Sequence, residues 1–167
     1  MATPTYTLID STVLGSAASS VTFSSITQDY RDLMLIMQVG MTTASSYCNG
    51  VLNSDTGTNY FRVDMFGNGS TTDSNTRTSD DRLRFSVLAD EHFSTANTNL
   101  VIAQFMDYSA TDKHKTILIR RNTTEGDDPL VAAIAQRYAS TSAITTIDLQ
   151  AGSFAAGSTF YLYGIEA

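Results

Sequence analysis

Apolar segments of about four to nine residues recur along the whole chain, separated by clusters of Ser, Thr, Asn, Asp and Gly, the punctuation of an antiparallel sandwich. The pattern predicts strands near Tyr6 to Ile9, Val21 to Ser24, Asp32 to Val39, Tyr47 to Leu52, Tyr60 to Phe66 and Arg82 to Leu88. Further strands are predicted at Leu100 to Asp107, Thr116 to Arg121, Val131 to Tyr138, Thr145 to Gln150 and Ser158 to Ile165. No stretch of useful length has the 3.6-residue period of an amphipathic helix. The expected fold is all-β: one antiparallel β-sandwich domain over residues 1–167, jelly-roll-like, with about ten strands, little helix and an N-terminal arm at residues 1–7.

Two segments depart from plain alternation with polar residues. Leu33-Met34-Leu35-Ile36-Met37 is apolar at every position, so it reads as a central strand covered on both faces or as part of a subunit contact, burial being the simpler reading. Farther on, Phe160, Leu162 and Gly164 alternate with Tyr161, Tyr163 and Ile165, giving one aliphatic-aromatic face and one tyrosine-bearing face. A tyrosine buries its ring while its hydroxyl stays hydrogen-bonded, so the second face either fills its own sandwich or meets another subunit. The interface candidates are therefore Tyr161, Tyr163, Leu33, Leu35 and Met37. Gly67 to Asp80 holds no apolar residue and is expected to be an exposed, mobile loop, having nothing with which to offset the entropy of ordering. Asn122 to Pro129 is equally polar, and Pro129 cannot donate to a ladder.

Composition narrows the functional classes. Charged residues are 16% of the chain, below the roughly 25% usual in soluble domains, and Ser and Thr, at about a quarter of positions, supply polarity instead. The net charge of −7, with Lys113 and Lys115 the only lysines and no basic run, argues against a nucleic-acid partner, which is held by clustered Lys and Arg. Met1-Ala2-Thr3-Pro4 lacks the basic and apolar regions of a secretion signal, and no apolar run approaches the roughly 20 residues that cross a bilayer, so no membrane partner is expected. The single Cys48 excludes an internal disulfide or a thiolate metal cluster and reads as a small core hydrophobe.

Candidate chemistry is sparse. His92 follows Asp90-Glu91 in a turn and His114 lies between Lys113 and Lys115, where a solvated ring is expected; neither carries a motif. Asp80, Asp81, Asp90 and Glu91 could supply a carboxylate pair, and Glu125, Asp127 and Asp128 could hold calcium, but there is no EF-hand spacing and solvated acidic turns are the better reading. Asn53-Ser54-Asp55-Thr56-Gly57 is a turn by composition, with Asp closing an Asx-turn and Gly free to take positive φ. No phosphate-binding loop occurs. The expectation is a non-enzymatic protein without catalytic residues, cofactor or metal.

Three segments carry a more specific likeness. The run LIDSTVLGSAASSVTFSSI from Leu8 to Ile26, followed by Tyr30 and Asp32-Leu33, resembles the opening of small β-sandwich virion proteins of tailed bacteriophages. Leu52 to Tyr60 looks like that family's turn after its core strand, and Ile144 to Leu149 with Phe154 to Ile165 resembles its closing pattern, a small-residue turn leading into a Leu-Tyr-Gly-Ile strand. Residues 67 to 130 stay unmatched, and the shared motifs are structural.

The resemblance implies a virion structural protein, assembled in the host cytoplasm. The sequence shows no coiled coil, collagen-like repeat or β-helix to serve as a fibre shaft, which favours a capsid decoration (cement) protein that docks in many copies on the major capsid shell, or on another virion protein, as a homotrimer. The alternative is a tail, baseplate or fibre-tip protein binding host surface glycan, with Tyr60, Tyr108 and Tyr138 as candidate sugar platforms in a chain without Trp.

Overall fold

Antiparallel pairing organises all twelve strands of the computed structural model, which describes residues 4–43, 47–87, 93, 95, 99–123 and 130–166. In chain order they are β1 (Tyr6–Val13), β2 (Ala18–Phe23), β3 (Asp32–Val39), β4 (Cys48–Leu52), β5 (Tyr60–Gly67), β6 (Thr72–Asp80), β7 (Leu83–Arg84), β8 (Asn99–Met106), β9 (Lys115–Thr123), β10 (Leu130–Tyr138), β11 (Ile147–Phe154) and β12 (Thr159–Ile165). An eight-stranded sheet runs β1-β12-β3-β8-β9-β10-β5-β6, and a four-stranded sheet runs β2-β11-β4-β7. No helix occurs among the described residues. The fold is an antiparallel β-sandwich, with twelve strands where the sequence predicts about ten.

Period-two patterning builds the core. Leu33, Leu35, Met37 and Val39 of β3 turn inward beside Val101, Ala103 and Phe105 of β8 and Phe160 and Leu162 of β12, all fully buried. Phe23, Leu52, Ile147 and Leu149 meet them from the small sheet, and Phe154 of β11 packs edge-on against Phe160 at 5.0 Å between centroids. Burying each such side chain is worth about 1.5–3 kcal/mol. Cys48 lies wholly in this core, and burial pushes its thiol up to about 12, so it stays a protonated hydrophobe.

The small sheet ends at the two-residue β7, and beyond it the described residues 85–87 and 93 pack against β5, β10 and β9. Phe85, Val87 and Phe93 are fully buried there, and Arg121 of β9 stacks over the Phe93 ring at 4.2 Å. Backbone outside a ladder still needs partners. Gln136 of β10 accepts from the Arg84 N–H at 3.1 Å and donates to the Arg84 carbonyl at 2.5 Å, while Arg62 of β5 donates to the Ser86 carbonyl at 2.7 Å. Arg62 is itself buried between Asp64 and Asp80, its Nε 3.6 Å from a carboxylate oxygen of each. Burial lowers the Arg62 pKa and the two carboxylates oppose that shift.

Several expectations are corrected. The 67–80 stretch is largely β6, paired along its length with β5 from Tyr60↔Asp80 to Gly67↔Thr72. Ladder hydrogen bonds to β5 order it without apolar side chains, and as the sheet's edge strand it leaves nearly all its side chains in solvent. Leu33 to Met37 is not covered on both faces: Met34 and Ile36 point away from the core and are half-buried. The arm shortens, because Tyr6 and Thr7 already pair with Ile165 and Gly164. In the turn after β4, positive φ falls on Asn53 (52°) and Ser54 (59°), not on Gly57.

Gly164 explains the glycine in the closing strand. A Cβ there would fall inside the Tyr30 ring, which packs directly on the strand backbone. Gly164→Ala should therefore destabilise the protein by about 1–3 kcal/mol in urea unfolding, and the increment should shrink toward zero in a Tyr30→Ala background. Gln136→Leu should cost about 1–3 kcal/mol by the same measurement, because it removes the partner of both the part-buried Arg84 N–H and C=O.

Candidate functional site

The two solvent faces of the sandwich differ in chemistry. On the small sheet the exposed outward residues are polar, with only Val51 apolar in their row: Thr22 donates to Asp148 at 2.6 Å and Gln150 donates to the other Asp148 oxygen at 2.5 Å. On the eight-stranded sheet the outward residues are mostly apolar. Pairing register places Leu8, Tyr163, Met34 and Gln104 in one row across β1, β12, β3 and β8, and Ser11, Tyr161, Ile36 and Ile102 in the next. The rows continue into Leu118 and Arg120 on β9, Ala135 and Ala133 on β10, and Val63 and Met65 on β5. Met65 is 59% exposed, Val131 67% and Leu118 42%, so no layer among the described residues covers this end of the face. Monomeric domains rarely leave so broad an apolar surface open without a partner for it.

The face has two parts. Over β1, β12 and β3 it carries Tyr6, Leu8, Tyr161, Tyr163 and Ile36, with the rings of Tyr161 and Tyr163 stacked 6.4 Å apart. Over β9, β10 and β5 it is a trough. Ala133 and Ala135 form a low floor between Leu118 and Arg120 on one side and Val63 and Met65 on the other. Adjoining depressions of about 900, 390 and 330 Å³ follow it along β10.

The predicted residues separate accordingly. Tyr161 and Tyr163 lie on the outer face, half-buried, whereas Leu33, Leu35 and Met37 are fully buried inside the sandwich and offer nothing to a second molecule without unfolding. Tyr60, Tyr108 and Tyr138 are buried as well, so none presents a ring to a sugar. Tyr60 and Tyr138 stack at 5.0 Å and close the Asp55 turn: the Tyr138 hydroxyl donates to the Asp55 carboxylate at 3.0 Å and the Tyr60 hydroxyl to the Asp55 carbonyl at 2.9 Å. Burial, with the Asp55 carboxylate beside it, pushes the Tyr138 phenol up to about 12. Tyr108 donates to the Thr27 carbonyl.

Among the described residues the candidate acids and bases are not brought together. His114 is exposed, and the neighbouring Lys115 is buried with its ammonium donating to the carbonyls of Ala110, Lys113 and Thr141, its pKa lowered by burial. Asp80 faces Arg62, and Asp81 pairs with Arg82 and Arg84 at 2.6 and 3.3 Å, so these carboxylates serve ion pairs and not each other. His92, Asp90, Glu91, Glu125, Asp127 and Asp128 lie outside the described residues. Among the described residues no group of three or more His, Cys, Asp or Glu could hold a metal. Sequence reasoning missed Met34, Ile36, Leu118, Ala133 and Ala135. Their signal is weak but present: in β8 and β10 most of the solvent-facing alternate positions, Leu100, Ile102, Met106, Val131, Ala133 and Ala135, are apolar, and in β9 Leu118 is.

No protein-family model matches the chain and no curated protein matches it. Among solved structures, galectin LEC-6 of Caenorhabditis elegans aligns at a TM-score of 0.40 and 9% identity, over 100% of this chain and 99% of that one. An aerolysin-like protein of Bombina maxima aligns at a TM-score of 0.11 and 10% identity, over 89% and 87%. Likenesses of this size assign neither family nor role.

Asp55 supplies a pH test of the turn. Burial raises its pKa, but donors from the Gly57 N–H, Asn59 and Tyr138 outweigh it, leaving the carboxyl below its ordinary 3.8. A pKa depressed by folding gives stability that is complete above the unfolded value and lost as pH falls through the folded one. Acid melting curves should therefore steepen below about pH 4 in the wild type, and Asp55→Asn should flatten that part of the profile while lowering stability at pH 7.

Proposed function

We propose that this protein works by docking and not by catalysis, as a virion structural module: a capsid decoration protein that self-associates, as a trimer, and seats on an assembled shell. One observation carries the reading, the uncovered apolar outer face of the eight-stranded sheet, whose sister sheet keeps an ordinary polar exterior. An apolar face this broad, on a chain whose net charge of −7 otherwise favours solubility, fits a surface that is covered when the protein is at work. The resemblance of the segments around Leu8 to Ile26 and Phe154 to Ile165 to small phage virion proteins supplies the setting. Of the two parts of the face, the tyrosine-bearing one over β1, β12 and β3 suits self-association, since aromatic residues are enriched at interface centres. The glycan-binding alternative loses the three tyrosines it relied on, because all are inside the fold.

Tyr163→Asp should leave the melting temperature within a few degrees of wild type, because the side chain is only half-buried, yet lower the oligomer mass in sedimentation or abolish co-sedimentation with shells lacking the protein. A variant that assembles and docks like wild type removes the tyrosine face from the interface. Shells whose heat tolerance is unchanged by loss of the protein, with adsorption to cells abolished, would move the role from shell to tail.

A further inference from the structure

We propose that the trough over Ala133 and Ala135 binds an extended acidic segment of a partner protein, laid along β10 with aliphatic side chains on the floor and carboxylates toward Arg120 and Arg137. The proposal rests on reading this face as a docking surface and names what docks.

Shape is the first argument. Strands β9 and β5 flank β10, so their outward side chains stand about 10 Å apart, two strand spacings, across a floor of alanine methyl groups, which leaves room for one extended chain lying along β10. From Val131 to Arg137 the floor covers seven residues, about 20 Å at the usual strand rise. Leu118, Val63 and Met65 give apolar walls, so alternate side chains of an extended guest meet aliphatic surface.

Charge is the second. Among outward-facing residues of β5, β9 and β10 the charged ones are Arg120 and Arg137, with no carboxylate, although the protein as a whole carries −7. Arg120 is exposed and makes no ion pair or hydrogen bond among the described residues. Arg137 is held over the Phe61 ring at 4.2 Å, which orients its guanidinium without neutralising it. Asp73 of the edge strand β6 is the one carboxylate lining the depression of about 900 Å³, which Arg120 and Arg121 also line. Two guanidinium groups along an apolar trough complement carboxylates spaced along an extended peptide, each able to take a bidentate pair. A second copy fits poorly, because pairing this patch with itself brings two cationic, carboxylate-free surfaces together.

The test pans a random dodecapeptide library displayed on yeast against immobilised wild-type protein, with counter-selection on Ala135→Trp, which fills the trough. The expected winners are net-negative peptides with aliphatic residues at alternate positions. A synthesised winner should bind wild type with salt-sensitive affinity, and at least tenfold more weakly to Arg120→Glu and Arg137→Glu, all variants keeping the wild-type melting temperature. If Ala135→Trp does not fold, Ala133→Met takes its place. Neutral or basic winners, or binding indifferent to these substitutions, overturn the proposal. So does a wild-type dimer that Ala135→Trp converts to monomer, which would make a second copy the occupant, or flotation with phosphatidylglycerol vesicles lost in Arg120→Glu, which would make it a lipid surface. Peptide binding is measured without shells, so shell docking that fails while acidic peptides still bind refutes the capsid setting alone, and the reverse refutes the trough alone.

Discussion

Eight strands hydrogen-bonded edge to edge present two broad faces, and this chain lays only four strands against one of them. That imbalance governs the rest of the molecule. Where the small sheet reaches, the core is dry: Phe23, Leu149, Leu35 and Phe160 interdigitate with no polar atom needing an account. Where it stops, at β7, the free edge of the last strand and the described residues just beyond it take their backbone partners from side chains of the large sheet. Buried Arg62, Asp64, Asp80, Ser86, Arg121 and Gln136 belong to that end for this reason. Gln136 stands in for a missing strand by bonding both backbone groups of Arg84, and Arg62 reaches the Ser86 carbonyl.

Burying Arg62 requires countercharge, since an isolated guanidinium in the interior costs several kcal/mol. Asp64 and Asp80 supply it, and Asp80 is the last residue of the edge strand β6. One ion cluster thus joins three tasks: it neutralises the cation, satisfies backbone beyond β7 and pins the end of an otherwise polar edge strand against β5. The edge also resists adding further strands, because β6 is polar throughout and hydrated on both sides.

The opposite face of the large sheet bears the other consequence of the imbalance. With no layer of described residues over its β9, β10 and β5 end, the residues there answer to solvent or to a partner. Their composition, apolar with two arginines in a strongly acidic protein, is what a binding surface needs and what a solvated surface avoids. On the proposed reading the docking surface is a sheet face, with side-chain relief and charge set by strand register.

Much of this was written locally in the sequence. Apolar segments at Leu100 to Asp107, Val131 to Tyr138 and Phe160 to Ile165 marked strands, and in the last of them alternation set Phe160 and Leu162 apart from Tyr161 and Tyr163, because the side-chain period of two is a property of each strand alone. The burial of Cys48 and the Asp55 turn were legible for the same reason, since they follow from residue chemistry and nearest neighbours. Sheet order was not. Whether Met34 and Ile36 meet a second layer or open solvent depends on which strands lie over β3, and the sequence of β3 is the same either way. Strand β6 escaped notice because it is held by β5's backbone and not by its own side chains. The rings of Tyr60, Tyr108 and Tyr138 could be placed inside or outside only once their strands had partners. Above all, the trough requires Ala133 and Ala135 to lie between Leu118 and Met65, residues separated by fifty or more positions and brought together only by the pairing of β9, β10 and β5.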